Sequence, residues 1–118
     1  MDLVLDLAGG PGMIGLFDCL APFGLLLLYG RLHGPPQGDI HGAIAKAPVR
    51  SLAFRYFSMH TLDDQPELRA RCTHELIRML REGTIKVPIY ERVPLAEAPR
   101  AHRLFESGQV MGKLIMKP

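Results

Sequence analysis

The sequence predicts an α/β protein built on parallel β-strands, for two reasons. Short apolar runs that end at glycine alternate with stretches of helical periodicity along the 118 residues. Two of these runs, residues 3–8 and 25–29, are almost entirely apolar, as in parallel strands that helices cover on both faces. Regular alternation of strand and helix favours parallel pairing through crossover connections.

The elements between and after these two strands follow from spacing and from proline positions. A helix is expected near Ile14 and Phe17, which recur at helical spacing. A short helix over residues 39–47 should end before Pro48, because the residue before proline avoids helical geometry. Residues 51–56 predict a third strand.

The longest predicted helix lies in the second half of the chain. Asp64 has the position of an N-cap with an acid three residues later, and Gly83 is the expected C-terminal cap. The apolar stripe of this helix comprises Leu68, Cys72, Leu76, Met79 and Leu80. Such a stripe is typical of a helix that packs on a core.

The tail reads as strand, helix and strand. Residues 86–93 form an extended segment, and Pro88 places it at a sheet edge. A helix over residues 96–107 tolerates Pro99 because that proline lies in the first turn. Residues 114–116 predict the last strand.

Composition excludes several classes of protein. The net charge of +2 is too small to predict nucleic-acid binding. The apolar stretch 13–29 is interrupted by Asp18 and Pro22, so no membrane span is expected. Cys19 and Cys72 lie in apolar surroundings without metal-ligand spacing, which predicts two buried free thiols and a cytoplasmic location.

No catalytic residue or metal site can be assigned from motifs. The histidines are scattered and form no HExxH or paired Cys/His pattern. They are His33, His41, His60, His74 and His102. The sequence therefore predicts neither a metal ion nor a histidine catalyst.

Three segments together resemble a known enzyme family. Residues 2–10 read DLVLDLAGG, residues 20–30 read LAPFGLLLLYG, and the tail reads VPLAEAPRAHRLFESG over 93–108, then GKLIMKP. In this order and spacing they resemble the quinone oxidoreductase branch of the medium-chain dehydrogenase/reductase family.

The resemblance implies both the architecture and the activity. Residues 1–84 would be the C-terminal half of a Rossmann-like dinucleotide-binding domain with parallel strands. Residues 85–118 would be the strand-helix-strand return that packs on the catalytic domain in the family. The implied activity is zinc-independent, NAD(P)H-dependent hydride transfer to a quinone or an enone, in a dimer.

The resemblance also implies NADP as the cofactor, with NAD left open. Ligands of open α/β sheets bind at the carboxyl ends of strands, and glycine lets the backbone come close to them. The implied cofactor contacts are Gly10, Tyr29, Gly30, Arg31, Leu32, Phe54, Arg55, Tyr56, Gly112 and Lys113.

Departures from the family pattern limit the expected activity. No G-x-G-x-x-G loop is present, and residues 9–15 have the wrong spacing, with Pro11 lacking an amide donor. The family's N-terminal catalytic domain also has no room in 118 residues. We therefore expect a chain that is inactive alone and that needs the missing half to bind the cofactor.

The expected partners are a second copy of the chain or a missing N-terminal half. A quinone or enone would be a substrate only in the complete enzyme. Two alternatives stay open, a truncated gene product and a non-catalytic association module. The module would pair through the apolar edge strand 3–8 or through 51–56, since unpaired edges invite strand addition.

Overall fold

The computed structural model describes residues 1–118, which form two compact units, Met1–Pro66 and Glu67–Pro118. Strands alternate with helices along the chain, and all strand pairs are parallel. The predicted α/β class is thus confirmed. The proposed family boundary between residues 84 and 85 stays a prediction.

Unit 1 is built on a three-stranded parallel sheet. Its strands are β1 (Leu3–Asp6), β2 (Leu25–Leu28) and β3 (Ala53–Tyr56), in the order β1-β2-β3. A short helix, α1 (Ile40–Ala45), connects β2 to β3, and the Asp39 side chain caps it by accepting from the Gly42 amide at 2.8 Å.

The predicted first helix is a 3₁₀ helix, Pro11–Cys19, rather than an α-helix. Gly12 and Gly15 explain the difference, because glycine lowers α-helix propensity by about 1 kcal/mol per residue relative to alanine. This 3₁₀ helix and α1 pack on the same face of the sheet. The buried core there consists of Met13, Phe17, Leu20, Leu26 and Leu28.

The other face of the sheet is open within unit 1, contrary to the expectation of strands covered on both sides. Leu3 and Leu5 are 50% and 60% exposed. Successive strand residues point to opposite faces, so these leucines lie opposite the core. The apolar pattern of residues 3–8 correctly indicated a strand, but unit 1 itself supplies only one covering layer.

The longest helix, α2 (Pro66–Arg81), matches the prediction at its end but not in its packing. Gly83 has a φ of 73°, and its amide donates to the Leu80 carbonyl, as in a glycine C-cap. The helix begins one residue later than expected, so Gln65 precedes it in place of Asp64. No residue of α2 is buried, which contradicts the predicted core stripe.

The prediction of two buried thiols is wrong. Cys19 and Cys72 are both free and exposed. Cys19 ends the 3₁₀ helix beyond its buried residues Met13 and Phe17, and Cys72 lies on α2, where nothing is buried. Apolar neighbours in sequence did not determine which side of each helix faces the core.

The second unit ends in a two-stranded parallel sheet. Strands β4 (Ile89–Pro94) and β5 (Lys113–Lys117) are connected through α3 (Ala98–Glu106). Val93 and Ala101 are buried. The predicted strand-helix-strand tail is confirmed with small shifts of its ends. No helix in the chain combines the length and apolarity needed to cross a membrane.

Candidate functional site

The turn after β1 is organised by a buried carboxylate. Asp6 is 7% exposed, and its carboxylate accepts hydrogen bonds from the Ala8 amide at 2.8 Å and the Gly9 amide at 3.1 Å. Gly9 and Gly10 have φ values of 64° and 66°, which glycine adopts without strain. The glycine-rich turn therefore directs two of its amides at its own carboxylate.

The same turn is hydrogen-bonded to the loop that follows β2. The amides of Leu32 and His33 donate to the carbonyls of residues 7 and 8 at 3.2 Å and 2.7 Å. The Gly10 amide donates to the Gly34 carbonyl at 3.2 Å. A Cβ on Gly10 would lie 2.9 Å from the His33 carbonyl oxygen. Gly10 thus permits close packing of two loops, and its contact with a cofactor stays a prediction.

A pocket of about 430 Å³ lies at the carboxyl ends of β2 and β3. Its lining residues are Leu28, Tyr29, Gly30, Arg31, Tyr56, Phe57, Ser58, Met59 and His60. Four of these, Tyr29, Gly30, Arg31 and Tyr56, belong to the predicted contact set. They meet because the carboxyl ends of neighbouring parallel strands lie at the same edge of a sheet.

Gly30, which lines this pocket, brings the backbone close to Leu7, the residue that follows β1. A Cβ at Gly30 would lie 2.7 Å from the Leu7 carbonyl oxygen and would also collide with the Leu7 side chain. No larger residue fits without movement of one of the two segments. The glycine at the end of β2 therefore determines how closely the segment with Tyr29 and Arg31 follows the sheet.

The aromatic wall of the pocket is connected to the core by ring contacts. The rings of Phe17 and Phe54 are 6.2 Å apart with planes inclined by 51°. Phe54 and Tyr56 form an edge-to-face pair with centroids 5.0 Å apart and planes at 77°. Phe54, predicted to contact the cofactor, does not line the pocket and lies between the core residue Phe17 and Tyr56.

The segment after β3 contributes lining residues that sequence reasoning missed. Phe57 extends the pairing with β2, since its amide donates to the Leu28 carbonyl at 2.9 Å. Ser58 then caps a 3₁₀ turn, Met59–Leu62, by accepting from the His60 amide. The His60 Nδ1 atom lies 2.9 Å from a carboxylate oxygen of Asp63. The serine two residues before His60 was the one local signal of this turn.

The remaining predicted contacts lie elsewhere. Leu32 is 74% exposed and does not line the pocket. Arg55 lies on β3 beside Leu27, and both residues are on the sheet face opposite the core. Gly112 and Lys113 belong to unit 2, where the Lys113 amide donates to the Pro88 carbonyl at 2.9 Å.

Gly112 has a packing reason for its identity. Its φ is 117°, and a Cβ there would collide with the Pro88 carbonyl oxygen. The glycine therefore allows β5 to begin pairing next to β4. A role of Gly112 and Lys113 in cofactor binding stays a prediction.

Charged side chains outside the pocket form surface ion pairs in unit 2. Arg100 donates to Glu91 at 2.6 Å and to Glu97 at 2.7 Å. Hydrogen bonding to Arg100 lowers the pKa of Glu91, and Glu75 has its pKa lowered in the same way by Arg78. These pairs are exposed, and none of their residues lines the pocket at β2 and β3.

Comparison with known proteins gives one family model, and the similar proteins include quinone oxidoreductases. A family model described as zinc-binding dehydrogenase matches residues 1–116. A quinone oxidoreductase of Pseudomonas aeruginosa is 30% identical over 116 residues, covering 98% of this chain. The chain spans 35% of that relative's length.

Solved structures of similar proteins have the same fold. The quinone oxidoreductase of Escherichia coli, complexed with NADPH, is 28% identical with a TM-score of 0.77, covering 100% of this chain and 36% of its own. A mycobacterial protein complexed with NADPH is 25% identical with a TM-score of 0.80, covering 100% of this chain and 35% of its own. The resemblance to the C-terminal portion of quinone oxidoreductases is confirmed.

Proposed function

The chain belongs to the zinc-binding dehydrogenase family, and from this we infer that it forms the nicotinamide-binding portion of an NADPH-dependent quinone oxidoreductase. The observation that carries the proposal is the pocket at the carboxyl ends of β2 and β3. Open α/β sheets bind their ligands at this edge. Relatives that were solved with NADPH support NADP as the cofactor.

The pocket fits one end of a dinucleotide better than the whole of it. Its volume of about 430 Å³ lies within the range of about 300–1,000 Å³ typical of small-molecule sites. Tyr29 and Tyr56 offer flat walls to a planar ring, and the Arg31 guanidinium offers hydrogen-bond donors to an amide oxygen or a phosphate. These three side chains would hold the nicotinamide end.

The glycine turn after β1 is not arranged for a pyrophosphate. An anion bound at such a turn needs free amides, and the amides of Ala8 and Gly9 already donate to Asp6. We therefore assign no phosphate contact to residues 9–15.

Zinc chemistry is not part of the proposal, despite the name of the family. No three His, Cys, Asp or Glu side chains come close enough together to hold a metal ion. The reduced nicotinamide itself supplies the hydride when it is bound. The role of this chain is then to orient the ring and keep water from its face.

We propose that the chain is inactive alone and works with the remaining family sequence, in the reducing cytoplasm. Its free cysteines, Cys19 and Cys72, are compatible with that compartment. Gly112 and Lys113 are proposed as further cofactor contacts by family resemblance. A quinone or an enone is the proposed substrate of the complete enzyme.

The test uses the two halves of the cofactor as separate probes. Reduced nicotinamide mononucleotide should shift the tyrosine ring signals of Tyr29 and Tyr56 in NMR spectra of the full chain, whereas adenosine monophosphate should not. Arg31→Ala should weaken binding of the mononucleotide by about 10-fold or more, since a hydrogen bond to a charged group contributes roughly 1.5–3 kcal/mol. Arg71→Ala, on the exposed surface of α2, serves as the charge-matched control.

Either of two results would exclude this proposal: equal binding of both probes, or binding that leaves both tyrosines unshifted. NADPH should show no turnover with menadione until an N-terminal portion of a relative, such as the Pseudomonas aeruginosa enzyme, is added. Turnover by the chain alone would contradict the proposal that it is inactive by itself.

A second candidate function is self-association through the sheet edges. The strand order leaves the outer edges of β1 and β3 unpaired within unit 1, and Leu3 and Leu5 are exposed beside one of them. Unpaired apolar edges add strands from other chains. Analytical ultracentrifugation should then detect dimers, and a monomer at high concentration would exclude this candidate.

A further inference from the structure

The pocket wall contains a tyrosine whose ring is supported from the core. Tyr56 is 60% exposed, so few contacts restrain it on the pocket side. Its one ring contact is the edge-to-face pair with Phe54 at 5.0 Å. Phe54 in turn contacts Phe17, which is 2% exposed.

We propose that Phe54 is a positioning residue that holds the Tyr56 ring in the orientation in which it meets the ligand. The proposal rests on the function proposed above, with the nicotinamide ring as that ligand. Phe54 and Tyr56 are two residues apart on β3, so their side chains lie on the same face of the sheet. Phe54 acts through Tyr56 and does not itself line the pocket.

The backbone around Tyr56 is already held, so the ring is the part that needs positioning. Tyr56 pairs with Leu28, which is 1% exposed, and the next amide, of Phe57, donates to the Leu28 carbonyl. The ring keeps two rotatable bonds. An exposed ring that must be ordered on binding weakens affinity, and a pre-existing aromatic partner reduces that cost.

Three variants separate this role from general packing. Phe54→Leu removes the aromatic partner, and Phe54→Tyr keeps an aromatic ring at this position. Phe105→Leu repeats the phenylalanine-to-leucine change at a residue of the other unit that is 65% exposed. If Phe54→Leu does not fold, Phe54→Met fills the space without a ring. Amide spectra of β2, whose Leu26 and Leu28 are buried, report whether each variant is folded.

Two measurements on the full chain decide the proposal. The first is the mobility of the Tyr56 ring in the ligand-free protein, from NMR relaxation of its ring carbons, with Tyr90 as an internal reference. Phe54→Leu should increase this mobility, and Phe54→Tyr and Phe105→Leu should not. The second is the affinity for reduced nicotinamide mononucleotide, which Phe54→Leu should lower by about 2- to 10-fold, as expected for loss of one aromatic pair.

The ring measurement separates failure of this inference from failure of the proposed function. If the wild-type chain does not bind the mononucleotide, the proposed ligand is wrong, and Tyr56 mobility still decides whether Phe54 positions the ring. An unchanged Tyr56 ring in Phe54→Leu would overturn the inference. Equal losses of affinity in Phe54→Leu and Phe54→Tyr would also overturn it, since only the former lacks the aromatic pair.

Discussion

Replacement of Asp6 should destabilise unit 1 far more than replacement of any exposed acid. Its carboxylate accepts two amide hydrogen bonds, at 2.8 Å and 3.1 Å, and the residue is 7% exposed. Hydrogen bonds to charged groups contribute roughly 1.5–3 kcal/mol each. Part of this hydrogen-bond free energy is recovered in Asp6→Ala, because the cost of burying the carboxylate also disappears.

The expected net loss for Asp6→Ala is therefore about 2–4 kcal/mol. Asp6→Asn should lose less, about 1–2 kcal/mol, because its amide oxygen can still accept from one backbone amide while its NH₂ group faces the other. Urea unfolding curves of the full chain measure both values. Asp18→Ala, which removes an exposed acid from the 3₁₀ helix, is the control. It should cost less than about 0.5 kcal/mol, as is typical of substitutions at the surface.

Hydrogen exchange tests whether the effect of Asp6→Ala is confined to the turn after β1. The amides of Ala8 and Gly9 should exchange faster in Asp6→Ala, because both lose their acceptor. Amides of β2 should keep their protection below the unfolding transition. If Asp6→Ala matched Asp18→Ala in stability, or if the turn kept its protection, the carboxylate would not be organising this turn.

Two further predictions concern other sites. Gly30→Ala should cost about 1–3 kcal/mol, since its Cβ would lie 2.7 Å from the Leu7 carbonyl oxygen. Gly12→Ala, with open space around the new methyl, should not lower the melting temperature, and a loss as large as that of Gly12→Ala or smaller in Gly30→Ala would refute the close approach. Folding lowers the pKa of Glu91 below its ordinary value of 4.5 by hydrogen bonding to Arg100, so this pair stabilises the fold at neutral pH and its contribution disappears as the pH falls below 4.5. Glu91→Gln should therefore lose less stability than the wild type between about pH 7 and pH 3, a range that spans the titration of the carboxyl group. Equal losses in acid unfolding curves would contradict the assignment.

The parts of the fold that the sequence predicted are those in which local and long-range signals agree. Residues 25–29 are short, apolar and bounded by glycine, and they became the central strand. Tyr29, Gly30, Arg31 and Tyr56 could be brought together in advance, because parallel strands always present their carboxyl ends at one edge.

The errors arise where a side chain's surroundings depend on packing rather than on its neighbours in sequence. Cys19 and Cys72 lie among apolar residues and are nevertheless exposed. His60 reaches the pocket because Ser58 caps a short turn after β3, and no periodicity signals where such a turn ends. Phe54 shows the same limit, since strand alternation gives its face but not the ring that it contacts.

The glycines after β1 show why composition alone does not identify a phosphate site. A glycine-rich turn binds an anion only if its amides converge on an open position. Here the amides of Ala8 and Gly9 do converge, but on the carboxylate of Asp6, which lies two and three residues before them in the chain. The positive φ values of Gly9 and Gly10 then serve the approach to the loop at His33 and Gly34. The turn thus carries its own anion, and what it positions is the neighbouring loop that leads into the pocket.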